Sequence, residues 1–189
     1  MGKEEKEFEQ ELHINFLRSL HDEKIKTQSE RATYITSKFA FITGLFSISA
    51  LNVGEINFST LLYIIPLVAI GYDLYIRAAD LSIKKIGAFL RSDPKAGTAE
   101  VERNWERFSA ENRDKLAQLA TTLFSFIIII GAAIFTYVQQ DPMQHPTTKV
   151  WYPIWFLASL LVNGYLWKVH RDQVKELDKK MEQKISGGS

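Results

Sequence analysis

The residues able to do chemistry in this chain are few, and most lie in apolar surroundings. Asp73, Arg77 and Asp80 are spaced four and three residues apart, which puts all three on one helix face. An ionisable group inside an apolar stretch is expensive and normally faces protein or water. The triad reads either as an intrahelical Asp73–Arg77 pair that anchors its helix, or as a charged vestibule that attracts cations or gates a path. Thr36, Ala40, Thr43, Ser47 and Ala50 recur at alternating four and three residues and form a small, weakly polar seam. Such seams let helices approach closely and bond across; repeated around a symmetry axis, the same residues would line a hydrated pore. Asn163 with Gly164, and Ala117, Thr121 and Ser125, carry the same ambiguity more weakly. Lys84, Lys85 and Arg91 could hold an anionic ligand such as a nucleotide or oligonucleotide, with lipid headgroups as the simpler target.

Other chemistry has no visible carrier. With Cys 0, disulfides, thiolate chemistry and cysteine-containing zinc sites are excluded. His13, His21, His145 and His170 are scattered; His13 and His21 can share a face but stand eight residues apart, against three or four for a metal pair. A GxxxxGK(S/T) loop, HExxH and GxSxG are missing, as is any Arg followed four to six residues later by His. The chain is expected not to be an enzyme and to need no metal or cofactor. A net charge of +1 gives no reason to expect a strongly basic nucleic-acid binder.

The elements that must position these residues are four apolar blocks, separated by stretches dense in charge that bring the mean hydropathy close to neutral. A bilayer core of about 30 Å takes roughly twenty helical residues, and each block has that length. The predicted spans are 34–53, with Lys38 snorkelling toward an interface; 58–79, where Pro66 and Gly71 are tolerated and could introduce a kink; 117–138, with the run Ile127 to Ile130; and 150–169, with Trp151, Tyr152 and Trp155 at one end and Tyr165 and Trp167 at the other, as in aromatic belts. Four buried core helices of a soluble protein would need a larger polar shell than 189 residues supply.

Of the 23 Lys and Arg, 22 lie before the first span (Lys38 included), between Arg77 and Lys115, or from Lys168 onward, and Lys149 stands alone on the other side. By the positive-inside rule both termini and the central segment are cytoplasmic, while Asn52 to Asn57 and Gln139 to Lys149 face outward. The charged N-terminus is not a secretory signal, and residues 186–189 have the composition of a flexible, engineered tail.

The cytoplasmic segments 1–33, 80–116 and 170–185 read as helices. Phe8, Leu12, Phe16, Leu17 and Leu20 form one broad face. A second stripe runs through Leu81, Ile83, Ile86, Phe89 and Leu90 to a stop at Ser92-Asp93-Pro94. A new helix begins near Thr98 and carries Val101, Trp105, Phe108 and Leu116, and the last stripe is Val174, Leu177, Met181 and Ile185. These stripes can pack together as an intracellular bundle, pack against neighbouring subunits, or lie on the membrane surface. The predicted class is all-α, a four-span membrane protein with cytoplasmic helical extensions.

The stretch Ile65-Pro66-Leu67-Val68-Ala69-Ile70-Gly71-Tyr72-Asp73-Leu74-Tyr75, continued by Ala79-Asp80-Leu81-Ser82-Ile83-Lys84-Lys85-Ile86-Gly87, resembles a segment of small bacterial membrane proteins. The overall layout resembles membrane effectors of bacterial anti-phage systems, the Hailong type among them. That resemblance implies a homo-oligomeric ion channel in the inner membrane, held closed until a nucleotide or oligonucleotide signal, or a soluble partner protein, releases it. The competing expectation is a non-conducting scaffold that recruits a soluble partner; a small transporter is third, without the paired broken spans of inverted repeats.

Overall fold

The computed structural model describes residues 3–53, 56–92, 100–111, 115–139 and 148–186. The described residues are helical apart from a hairpin of two-residue strands and a short 3-10 stretch. Helix α1 spans Lys3–Ser49 without interruption, as a segment lacking proline and reaching its first internal glycine only at Gly44 allows. Strands β1 (Asn52–Val53) and β2 (Ile56–Asn57) pair antiparallel, Asn52 opposite Asn57 and Val53 opposite Ile56. A 3-10 stretch, Phe58–Ile64, leads into α2, Ile65–Ser92. Pro66 thus occupies the first turn of α2, where its missing N–H has no helical partner to lose, and does not fall in the middle of a helix where it would kink the axis.

Helix α3 spans Glu100–Glu111, α4 Lys115–Gln139 and α5 Thr148–Ser186. The predicted stop after Ser92 coincides with the end of α2, while the predicted cap at Thr98 and most of the Gln139 to Lys149 segment lie outside the described residues. Two helical segments, Thr60–Arg91 and Leu119–Val138, are long and apolar enough to cross a bilayer.

Two compact units make up the chain. The first comprises 1–31, 78–114 and 171–189, the second 32–77 and 115–170. Large apolar side chains lie both inside and on the outside of the second unit. Its core is Ile42, Leu62, Ile65, Ala69, Ile128, Ile129, Ala132 and Phe156, and Trp155 Nε1 donates to Tyr63 O at 3.1 Å, tying α5 to the 3-10 stretch. Its outer surface also carries Phe41, Leu67, Leu74, Leu123, Ile127, Ile134, Leu157 and Leu161, all exposed.

In the first unit Phe16 meets Phe89 edge to face at 6.2 Å, and Ile86, Ala88 and Leu90 are buried. Phe8, Leu12, Trp105 and Phe108 of the predicted stripes remain exposed. Lys24 bonds Glu106, Arg31 lies 3.6 Å from Asp80, and Arg91 lies 3.7 Å from Asp178.

Candidate functional site: a buried four-helix polar network

One polar network is built inside the second unit from all four of its long helices. On α1, Lys38 shares a face with Ile42 and Ser49 and is 2% exposed. On α2, Asp73 is also 2% exposed, one side of it lined by Ala69 and Ile76 at helical spacing. Helix α4 brings Ser125 and α5 brings Asn163, both fully buried.

The contacts form a connected set. Lys38 Nζ donates to Asp73 Oδ1 at 2.7 Å and also to Ser125 Oγ. Asp73 Oδ2 accepts from Ser125 Oγ at 2.6 Å and from Asn163 Nδ2 at 3.1 Å. Asn163 Oδ1 in turn accepts from Arg77 Nη2 at 3.3 Å. With one face of its amide giving and the other receiving, Asn163 can satisfy both neighbours in a single orientation. The Lys38 ammonium also lies 5.6 Å from the Phe124 ring centre, within cation–π range.

Two sequence expectations change here. Lys38 does not extend toward an interface; its charge is met inside, because a carboxylate and a hydroxyl within bonding distance replace the water it would otherwise reach for. Asp73 takes its cation from α1, and Arg77, one turn along its own helix, turns to Asn163. The intrahelical anchor gives way to a bond between helices.

The predicted seam lies elsewhere. Thr36, Thr43 and Ser47 are exposed, on the side of α1 opposite Lys38, Ile42 and Ser49. Thr36 Oγ1 donates to Ala32 O at 3.1 Å and Ser47 Oγ to Thr43 O at 2.9 Å, both within the helix. Packing inside the protomer therefore does not use the seam. Among the anion-site candidates, Lys84 is buried with its ammonium 2.5 Å from Asp80, Arg91 faces Asp178, and Lys85 is exposed. His21 Nδ1 lies 2.8 Å from Leu17 O of its own helix, and among the described residues no cluster of three metal-ligating side chains occurs.

Sequence reasoning missed Lys38 as a site residue and gave Ser125 only a minor place. A signal was present: Lys24, Arg31 and Lys38 recur every seven residues on α1, and Asp73, Asp80 and Gly87 every seven on α2. In the second unit Lys38 meets Asp73. In the first, Arg31 meets Asp80, and Lys24 meets the Glu106 carboxylate, whose Oε2 would lie 2.8 Å from a Cβ on Gly87. Glycine at position 87 leaves the place a third acid would occupy to a carboxylate from α3. Comparison with protein-family models, curated proteins and solved structures finds no match to this chain.

Proposed function

We propose that this chain is a four-span protein of the bacterial inner membrane, both termini cytoplasmic, whose copies assemble into a channel gated through the cytoplasmic helices. The observation that carries this reading is the Lys38–Asp73 pair, closed off inside a unit whose outer surface is also apolar. Burying two charges is unfavourable unless they pair with good geometry, and such pairs act less as sources of stability than as specifiers of one arrangement. Intramembrane ionisable groups mark ion paths and moving parts. A pair that joins α1 to α2, with Ser125 and Asn163 completing the set, is suited to hold the spans in one of two states. The hydroxyl seam of Thr36, Thr43 and Ser47 then faces neighbouring copies or a central axis. The extension helices, where a nucleotide, oligonucleotide or protein signal of anti-phage defence would arrive, continue directly from α1, α2 and α5.

Reconstitution into planar bilayers, with cytosolic extract and the products of neighbouring genes, tests the reading. Conductance that changes on Asp73→Asn and is lost on Ser47→Leu supports it. Electrically silent bilayers under all these conditions, from protein shown to be inserted, would remove it. In that event the scaffold reading gains, and one observation already favours it: Trp105 and Phe108 stand exposed and side by side, ring centres 6.0 Å apart, as aromatic anchors for a soluble partner do.

A further inference from the structure

The polar network of the second unit contains one more positive charge than negative. Lys38 and Asp73 offset each other, and the three acceptor contacts of the Asp73 carboxylate are taken by Lys38, Ser125 and Asn163. Arg77 is left with a carboxamide oxygen at 3.3 Å, and its Nη1 is buried with no hydrogen-bond partner. Among the described residues of this unit Asp73 is the one carboxylate. The next acid along α2, Asp80, is engaged by Lys84 at 2.5 Å and Arg31 at 3.6 Å. A water molecule would satisfy the orphaned N–H but not the charge. A small anion satisfies both, and a half-buried guanidinium with one nitrogen shut off from water is otherwise left unmatched.

The geometry points to Arg77, at the end of the network beside Asn163, as the binding site of a small monovalent anion, chloride being the halide at hand in a cell. The site neutralises the cluster and supplies an acceptor to the Nη1 that lacks one. It rests on the reading above only in that lipid around the second unit excludes bulk water from Arg77; binding does not depend on conduction. The same donor chemistry would accept a lipid phosphate, so the source must be separated experimentally.

Purified protein in a neutral maltoside detergent, free of added lipid, is melted at fixed ionic strength while gluconate is exchanged for chloride or bromide. At ten times the half-saturating halide concentration, Tm should rise by about 3–5 °C. Arg77→Gln should abolish the rise, and Lys175→Gln, at an exposed position on α5, should retain it. Arg77→Lys, which keeps the charge and loses the fork, should raise the half-saturating concentration by about tenfold. Should Arg77→Gln fail to fold, excess line width of the chloride-35 resonance in the presence of wild-type protein, titrated away by bromide and shifted to higher concentrations in Arg77→Lys, carries the same test. No halide effect in either measurement overturns the site, as does a response that Arg77 variants share with the wild type. Stabilisation by phosphatidylglycerol alone, with halide inert, also overturns it and assigns Arg77 to lipid. A silent channel with an intact halide response would sink the conduction reading while leaving this site in place.

Discussion

Replacing Lys38 by Met removes the cation that touches Asp73 and leaves a buried carboxylate with Ser125 and Asn163 as its remaining donors. Replacing Asp73 by Asn instead leaves Lys38 without its carboxylate. Breaking one side of a buried pair typically destabilises by about 3–5 kcal/mol. For a chain of this size each kcal/mol moves Tm by roughly 2–4 °C, so either variant should melt on the order of 10 °C lower. The double variant tells more. With both charges gone neither is stranded, and replacing a whole buried pair is often neutral or stabilising; Lys38→Met with Asp73→Asn should lie within about 2 kcal/mol of the wild type. The coupling between the two positions should then be roughly 3 kcal/mol or more. The assay is thermal unfolding of the four proteins in one detergent, followed by tryptophan fluorescence, with a second probe to establish a single transition. Single variants within about 1 kcal/mol of the wild type, or a double variant equal to the sum of the singles, would refute a pair shielded from solvent.

Ser125→Ala removes a hydroxyl that accepts from Lys38 and donates to Asp73; it should cost about 1–3 kcal/mol and less than Asp73→Asn, read as ΔTm in the same assay. Asn163→Leu strands both Arg77 Nη2 and one contact of Asp73, and should cost at least as much as Ser125→Ala, again about 1.5–3 kcal/mol. Gly87→Ala would bring a methyl to 2.8 Å from Glu106 Oε2. The flexible carboxylate can swing away, so the helix-propensity gain of up to about 1 kcal/mol and the displaced Lys24 contact should nearly cancel, while Gly87→Leu should lower Tm clearly. Glu176 gives the contrast: a side-chain hydrogen bond from Lys180 at 2.7 Å holds its carboxyl below the ordinary range. A lowered folded-state value adds stability above the ordinary carboxylate range that is lost as pH falls through the lowered one. At this fully exposed site solvent screens the pair, and Glu176→Gln should leave Tm and its pH dependence between 3 and 6 unchanged, the interval being roughly that of carboxylate titration.

Much of the backbone was legible because it depends on local rules. The uninterrupted α1 and the continuation of α2 to Ser92 follow from apolar periodicity and from where proline and glycine fall, while the long α5 follows from periodicity and runs through Pro153. Pro66 is expected from sequence to lie within a span and could kink it; its place in the first turn of α2 depends on where the preceding 3-10 stretch ends. Asp73 was legible as an unusual residue, since any acid in an apolar run stands out. Its partner was not, because Lys38 near the start of an apolar block has two physically sound destinations, an interface or a carboxylate. Which one prevails depends on a helix 35 residues away in sequence.

By itself, the sequence determined that the chain is helical, that its apolar blocks alternate with charged ones, and that one acid sits where water is scarce. These are properties of single segments, set by side-chain period and composition. Tertiary structure alone decided that Lys38, Asp73, Ser125, Asn163 and Arg77 meet, that the hydroxyl seam points away from them, and that Arg77 Nη1 is left without a hydrogen-bond partner. The reason is geometric: side chains on four different helices converge only once the rotation and register of each helix are fixed, and those are set by packing between segments, on which no single stretch of sequence carries the information.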